Sequence, residues 1–480
     1  RLRDMRQERR LPLIVACALF IENMDSTAIS TALPAIATEF GTSPIALKLA
    51  LTTYLVALAV FIPISGWIAD RFGARSTFML AIGVFLLGSI GCAASVSLPT
   101  LIAARFVQGM GGALMVPVGR LVLLRTVPKS ELVVALSWLT IPALVGPMLG
   151  PPLGGLIVTW FDWRWIFLIN IPMGLLGIAL AWRYVPNLRE PPGPLDGIGF
   201  ALSGLGLALA LFGFSTVGQH LVPLPLALGC LAVGVVLLWA YVVHARRHVQ
   251  PLLDLGLFRL PTFRAGVIGG SLFRIGVGAT PFLLPLMLQL GFGLNPLQSG
   301  LITFVSAAGA MFMKTLAATI LRRYGFRRVL LVNALIASAL LAAFGLFRAD
   351  TPHLFVSAVL LVSGCFRSLQ FTSLNAISYA EVQPALMGQA SSLAGMMQQL
   401  SLSIGVAIGG YALQTAALFS GRPETAAGNF TVAFAVVGAC SALSAFWMWR
   451  LPADAGQEMA GKARPGGELA EPKIAQRPAT

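Results

Sequence analysis

The sequence predicts an all-α polytopic membrane protein with fourteen transmembrane helices, arranged as two six-helix bundles with an inserted helix pair. Of its 480 residues, 57% are hydrophobic and 11% are charged, well below the roughly 25% charged residues of soluble domains. Apolar runs of about 20 residues, the length that crosses a bilayer, recur along the whole chain. A basic, glycine-containing segment also occurs twice, which indicates two related halves.

The predicted spans follow from the positions of these apolar runs. Each run is long enough to cross a hydrocarbon core of about 30 Å as a helix that rises about 1.5 Å per residue. We place the spans at residues 11–37, 47–69, 76–96, 98–124, 132–159, 164–183, 197–217, 223–243, 265–290, 297–321, 328–347, 353–379, 388–416 and 428–449.

The repeated segment sets the predicted domain organisation. The first copy, Gly66 to Arg75, follows the second span, and a degenerate copy, Ala318 to Arg327, follows the tenth. This spacing predicts an N-terminal bundle (11–183) and a C-terminal bundle (265–449), separated by linkers and two extra spans (184–264). Residues 1–10 are predicted to form a cytoplasmic tail. Residues 450–480 are rich in Ala, Gly, Pro, Lys and Glu, which is typical of a disordered tail.

The formal net charge of +15 is strongly basic, but the positions of the charges argue against nucleic acid as a partner. Most of the 33 Lys and Arg residues fall in alternate loops and in both tails. Cytoplasmic loops carry such an excess, so the basic loops and both termini are predicted to be cytoplasmic. The expected partners are the lipid bilayer, protons and a small-molecule substrate.

Glu22 and Asp25 lie midway along the first span and are the only acidic residues deep inside any predicted span. A charge at the bilayer centre costs about 2.5–3.5 kcal/mol even on lenient scales, so such groups are usually kept for function. The two share one helix face, and their mutual repulsion favours protonation of one of them. This pattern predicts a proton-coupled transporter. A pair held by hydrogen bonds that never titrates is the structural alternative.

Cations inside the spans complete the set of candidate site residues. Arg105 is the one cation well inside the first half, so we expect it to contact Asp25 or Glu22. The second half has intramembrane cations but no intramembrane acid. They could be structural cations at a helix interface, pair with the first-half carboxylates, or bind an anionic substrate. The candidate substrate contacts are Arg274, Lys314, Arg367, Gln370, Asn375 and Gln398.

Three segments resemble motifs of the major facilitator superfamily. Span four carries Arg105-Phe-Val-Gln108-Gly109-Met-Gly111-Gly112, which is similar to motif B. The first copy of the repeated segment resembles motif A at Gly66, Asp70, Arg71, Gly73 and Arg75. Span five resembles motif C, the marker of exporters, at Gly146, Pro147, Gly150, Pro151, Gly154 and Gly155.

The segments Met24 to Pro34 and Trp163 to Pro172 are similar to signatures of the fourteen-span drug:proton antiporter branch of that superfamily, and closest to its MdtD-like subgroup. The resemblance covers residues 11–449 and implies the major facilitator fold with alternating access. It also implies that Asp25 and Arg105 act in proton transfer and that the motif A segment latches the halves on the cytoplasmic side. Glu22 is an addition to the family pattern.

An enzyme is not indicated by the residue inventory. The four histidines fall in loops or at span ends, where we identify no metal-ligand spacing, and the sequence contains no phosphate-binding GxxxxGK[ST] loop. We therefore expect no metal and no cofactor, with the proton gradient as the energy source.

The leading functional hypothesis is a proton-coupled antiporter that exports small molecules, of multidrug type, across a bacterial cytoplasmic (inner) membrane as a monomer. The intramembrane cations of the second half favour one alternative, a proton-coupled exporter of an organic anion such as a di- or tricarboxylate. A nutrient symporter is a weaker alternative because motif C marks exporters. A channel is disfavoured by the repeated halves.

Overall fold

The computed structural model of the protein describes residues 2–126, 132–189, 191, 193–217, 222–383, 386–452 and 454–456, and side chains within these ranges except those of 2–10, 124–125 and 132–144. The described residues form helices and connecting loops, with no β-strand among them. The prediction of an all-α protein is confirmed.

Ten helices form the first half and the inserted pair. They are α1 (Leu2–Phe40), α2 (Lys48–Phe61), α3 (Ser65–Phe72), α4 (Ala74–Ala93), α5 (Leu98–Thr126), α6 (Leu132–Trp160), α7 (Trp165–Leu168), α8 (Asn170–Tyr184), α9 (Gly197–Thr216) and α10 (Leu224–Arg247).

Eight further helices form the second half. They are α11 (Pro261–Arg264), α12 (Gly270–Leu286), α13 (Pro296–Tyr324), α14 (Phe326–Ala343), α15 (His353–Ser378), α16 (Met387–Ser420), α17 (Ala427–Ala442) and α18 (Ser444–Trp449).

Within the described residues, 13 helical stretches are long and apolar enough to cross a membrane. They correspond to all but one of the predicted spans, and the remaining prediction, residues 132–159, coincides with α6. The chain is therefore a multi-pass membrane protein, as predicted.

Some predicted boundaries differ from the structure. Helix α1 begins at Leu2, so the backbone of residues 2–10, which we predicted as a cytoplasmic tail, continues the first helix ahead of the span that begins at Leu11. The second predicted span is interrupted by a 3₁₀ turn at Ile62–Ile64, because Pro63 lacks the N–H group that an α-helix requires. Most of the predicted tail at 450–480 lies outside the described residues.

Neighbouring helices pack in pairs that build each half. In the first half α1 packs on α6 and α4 on α5, while in the second half α12 packs on α16 and α13 on α15. In the inserted pair, α9 packs on α10 and also on α2. One apolar cluster, which includes Ile29, Leu47, Phe282 and Phe434, contains residues of both halves. The halves therefore share part of their core.

Two glycines mark the repeated segment in the fold. Gly73 joins α3 to α4 with φ 96°, and Gly325 joins α13 to α14 with φ 78°. Side chains other than hydrogen rarely tolerate this backbone region, so glycine is required at both turns. We call the side of the bundle that carries Gly73 and Gly325 the hinge side, and the opposite side the far side.

Candidate functional site

A buried ion pair joins α1 to α5. Asp25 is 0% exposed, and its Oδ2 accepts a hydrogen bond of 2.7 Å from Nη1 of Arg105. Its Oδ1 accepts a hydrogen bond of 2.7 Å from Nδ2 of Asn170, the first residue of α8. Of the two carboxylates that we expected near Arg105, the structure therefore pairs Asp25 with it. Three helices meet at this one carboxylate.

The guanidinium group of Arg105 has further acceptors. Its Nη1 also donates to Oε1 of Gln108 at 2.6 Å, and its Nε donates to the carbonyl oxygen of Ala50 at 3.3 Å. Gln108 in turn donates to Oγ of Ser89 at 2.9 Å. Buried charges are tolerated when they are both paired and hydrogen-bonded, and this network meets both conditions.

Glu22 lies beside this network with fewer partners. It is 8% exposed, and its Oε1 accepts a long hydrogen bond of 3.5 Å from the Tyr54 hydroxyl. Its Oε2 has no hydrogen-bond partner among the described residues. The Tyr54 ring centroid lies 4.3 Å from Cζ of Arg105. Tyr54 therefore contacts Glu22 with its hydroxyl and Arg105 with its ring face.

The sequence analysis missed the roles of Asn170 and Tyr54 at this site. Asn170 lies in the segment Trp163 to Pro172 that resembles the antiporter signature, so a signal was present without an assigned contact. Tyr54 gave no signal, because a single tyrosine in an apolar span is usually a packing residue.

The two deeper cations of the second half contact neutral groups. Arg274, which is 4% exposed, donates from Nη2 to Oδ1 of Asn375 at 3.0 Å, and its Nε has no partner among the described residues. Arg367 is partly buried and donates to Oγ of Ser306 at 3.2 Å. Among the residues that the structure describes, no ion pair joins either arginine to Asp25 or Glu22. The structure thus brings together only Arg274 and Asn375 of the predicted substrate contacts.

The remaining predicted substrate contacts lie in different environments. Gln370 is buried, accepts a hydrogen bond from Asn333 at 2.8 Å and donates to the carbonyl oxygen of Leu330 at 3.2 Å. Its amide is therefore engaged within the second half. Lys314 is exposed on α13, and Gln398 is partly buried on α16.

Three motif C glycines face α1. A Cβ atom at Gly146 would lie 3.0 Å from the carbonyl oxygen of Phe20. At Gly150 a Cβ atom would overlap the Thr27 side chain, and at Gly154 it would overlap the backbone of α1. Only hydrogen fits at Gly150 and Gly154, and a Cβ atom at Gly146 would be in tight contact, so α6 and the carboxylate-bearing helix are in close backbone contact.

The fourth motif C glycine faces the second half. A Cβ atom at Gly155 would overlap the carbonyl oxygen of Pro296, at the beginning of α13. The contact is reciprocal, since a Cβ atom at Gly300 would overlap the carbonyl oxygen of Pro151. Pro147 lies one turn earlier in α6. Motif C thus packs one helix against its own half and against the other half.

The motif A segment and the residue that follows it contact α8 and the chain beyond it. The Ser76 backbone N–H donates to Oδ1 of Asn187 at 3.3 Å, and Arg75 donates to the carbonyl oxygen of Trp182 at 3.5 Å. A Cβ atom at Gly73 would overlap the Asn187 side chain. Of the other predicted latch residues, Gly66 and Arg71 are exposed and Asp70 is partly buried.

Polar contacts join the two halves on the far side. Gln289 donates to the carbonyl oxygen of Thr31 at 3.0 Å, and the Leu297 backbone N–H donates to Oγ1 of Thr159 at 3.1 Å. These contacts lie at the ends of helices that are remote from Gly73 and Gly325. They hold the halves together on the far side.

Lys48 is a buried cation at the same interface. It begins α2, is 0% exposed, and its Nζ has no hydrogen-bond partner among the described residues. The nitrogen lies over the ring of Tyr411 in α16, whose hydroxyl donates to the carbonyl oxygen of Phe214 in α9. The sequence analysis did not identify Lys48, because a lysine at a span end normally reaches the aqueous interface.

Two histidines require a correction. The sequence analysis identified no metal-ligand spacing, yet His244 and His248 lie four residues apart at the end of α10. In the structure they approach Asp196, and one potential ligand atom from each of the three residues lies within 4.8 Å of the others. Helical periodicity places residues four apart on one face, which was the available signal.

These features define a class of protein. Two helical halves that pack together in the membrane, with a buried carboxylate–arginine pair inside one of them, are typical of a transporter of small molecules and not of an enzyme. The sequence matches the Major Facilitator Superfamily over residues 15–406 and 266–475. The chain belongs to this family.

Relatives and solved structures agree with this assignment. The chain is 39% identical over 455 residues to the MdtD protein of Escherichia coli (strain 55989 / EAEC), which is named for multidrug resistance, with 93% of this chain and 95% of that protein covered. MdtD of Shigella boydii serotype 18 is also 39% identical over 455 residues, with the same shares covered (93% and 95%). The predicted resemblance to the MdtD-like subgroup is confirmed.

Two solved structures show the same fold at low sequence identity. A bacterial homologue of the human lysosomal transporter Spinster, solved in an inward-facing and unoccupied conformation, has a TM-score of 0.67 and 14% identity, covering 96% of this chain and 99% of that one. The human organic anion transporter MFSD10 has a TM-score of 0.61 and 16% identity, covering 92% and 99%.

Proposed function

We propose that the chain is a proton-coupled antiporter of the multidrug-efflux type, which exports small molecules by alternating access. The observation that carries the proposal is the buried Asp25, held between Arg105 and Asn170 with Glu22 one helical turn away. Carboxylates inside a membrane are characteristic of proton relays. Protonation of Asp25 would remove its attraction to Arg105 and so change the energy of packing α1 against α5.

We infer the direction of transport from the loop charges and from motif C. The basic loops predict that the hinge side is cytoplasmic, so export would carry substrate from the hinge side to the far side. Motif C supports export, and the name of the MdtD relatives supports drug efflux. We expect a monomer in a bacterial inner membrane, with both termini cytoplasmic and the proton gradient as its energy source.

A second candidate function is proton-coupled export of an organic anion. Arg274 is buried, contacts only neutral groups among the described residues and has an unpartnered Nε. A buried guanidinium group without an anion is costly, and a carboxylate on the substrate would compensate it. This candidate shares the proton site with the first and differs in the substrate.

The test is proton release from the purified protein in liposomes as substrates are added near neutral pH. Lipophilic cations and di- or tricarboxylates are compared in wild type, Asp25→Asn, Arg274→Gln and Arg367→Ala. Glu39→Gln is the matched control, because Glu39 is an acid of the same helix that contacts Arg164 on the far side.

The outcomes separate the two candidates. Release by cations that is lost in Asp25→Asn and kept in Glu39→Gln supports drug antiport. Release by polycarboxylates that also weakens in Arg274→Gln supports anion export. Full proton release in Asp25→Asn would contradict both candidates.

A further inference from the structure

A cluster of potential metal ligands lies at the hinge-side base of the inserted helix pair. Asp196 precedes α9 as its N-cap, and His244 and His248 end α10. The set of two imidazoles and one carboxylate is typical of Zn²⁺ sites that leave one coordination position for water. No other group of three or more His, Cys, Asp and Glu side chains comes this close together in the described part of the chain.

The side chains of the three potential ligands already lie close together. Nε2 of His244 lies 2.8 Å from Oδ1 of Asp196, and the His244 and His248 ring centroids are 5.0 Å apart. Nδ1 of His248 accepts a long hydrogen bond of 3.3 Å from the Gln250 backbone N–H. Coordination through either nitrogen of His248 would remove only this weak bond, so His248 can turn toward an ion at little cost.

The carboxylate is held in a fixed orientation by backbone hydrogen bonds. The Gly199 and Leu252 backbone N–H groups donate to Oδ1 and Oδ2 at 2.8 and 3.1 Å. Such outer hydrogen bonds orient ligands and support affinity.

A cavity beside the cluster provides room for a water ligand. It has a volume of about 370 Å³ and is lined in part by Asp196 itself, by Trp67 of α3 and by Gln389 of α16. The basic residues that flank the histidines, Arg246 and Arg247, are exposed. Solvent therefore screens their repulsion of a bound cation.

We propose that Asp196, His244 and His248 bind one divalent transition-metal ion, with Zn²⁺ the best match to the ligand set. The ion ties the beginning of α9 to the end of α10. The bound ion would hold α9 and α10 together at one end, beside the cavity that residues of both halves line.

The test uses the purified full-length protein without a histidine tag, titrated with Co²⁺ as a spectroscopic probe and then with Zn²⁺ in competition. We expect one Co²⁺ per chain, visible d–d absorption, and loss of that absorption as Zn²⁺ displaces it. His248→Ala should weaken affinity at least about tenfold, because even second-shell partners of metal ligands are worth that much. His353→Ala, at the exposed first residue of α15, is the matched control and should bind as wild type does.

A second variant and a second readout exclude simple misfolding. His248→Gln keeps a polar side chain, and its elution profile and helicity in detergent should match wild type while Co²⁺ affinity falls. Zn²⁺ should raise the unfolding temperature of wild type and His353→Ala but not of His248→Gln. No Co²⁺ binding by wild type, or equal affinity in His248→Gln, would overturn the site and leave only a His–Asp hydrogen bond.

Discussion

The ammonium nitrogen of Lys48 lies 3.7 Å from the centroid of the Tyr411 ring, at a contact between the two halves. A cation–π contact contributes about 0.5–2 kcal/mol, whereas withdrawing an ammonium group from water costs several kcal/mol. The desolvation cost is the larger effect. We therefore expect Lys48 to oppose closure of the far side, because its hydration on opening would favour an open arrangement.

Lys48→Met removes this charge and keeps an unbranched side chain in the same space. We expect a higher unfolding temperature and slower transport, because the far side opens less readily. Spin labels at Thr42 and Arg422 should report shorter distances than in wild type, measured by double electron–electron resonance. Lys48→Arg retains the charge and is the control. Longer distances in Lys48→Met would show that the cation stabilises closure.

Asp25→Asn leaves Arg105 buried without an anion. Removing one partner of a buried ion pair costs about 3–5 kcal/mol, so the variant should be less stable as well as uncoupled. Adding Arg105→Met removes the stranded charge and should restore much of the unfolding temperature in detergent, but not transport. A double variant as unstable as Asp25→Asn would contradict this electrostatic account.

Leucine at Gly150 and leucine at Gly155 should fail in different ways. At Gly150 the new side chain overlaps Thr27 within the first half, so we expect poor folding, seen as low yield and early elution in gel filtration. At Gly155 it meets Pro296 of the second half, so the protein should fold with the far side wedged open. Spin labels at Thr42 and Arg422 should then report longer distances in Gly155→Leu than in wild type, and unchanged distances would refute this prediction.

Gly73→Ala should be more destabilising than Gly325→Ala. Both substitutions place a side chain in a positive-φ backbone region, at about 1–3 kcal/mol each. A Cβ atom at Gly73 also overlaps Asn187, whereas a Cβ atom at Gly325 meets open space. Asn187→Ala should recover part of the unfolding temperature lost in Gly73→Ala. Equal losses at the two glycines would rule out the Asn187 contact as the cause.

Much of the architecture could be predicted from the sequence because membrane spans carry strong constraints. Bilayer thickness sets the length of the spans, and the excess of Lys and Arg in cytoplasmic loops sets the loop charges. The positive φ of the repeated turn requires glycine. The contact of Arg105 with Asp25 could be anticipated for a similar reason, since charges inside spans are few and each needs a partner. The choice between Asp25 and Glu22 depended on side-chain geometry that spacing alone does not fix.

Other contacts depended on tertiary packing. Gln370 looked available for substrate, but Asn333, distant in sequence, engages its amide. Lys48 looked like an interfacial lysine until the second half covered it. The approach of Asp196 to His244 requires the two ends of the inserted pair to meet. No local pattern encodes which polar groups the fold will bring together.

Helix α6 contacts two neighbouring helices through glycines on different faces. Gly150 faces α1 and Gly155 faces α13. Close backbone contact leaves α1 and α6 little freedom to slide past one another, so we expect the two helices to move as one rigid unit. A small displacement of α1 as Asp25 gains or loses charge would then move α6 directly, and with it the contact between Gly155 and Pro296 of the second half. No loop would be needed to transmit the movement. Under the proposed proton coupling, the two glycine contacts would therefore transmit a change at Asp25 to the contact between the halves on the far side.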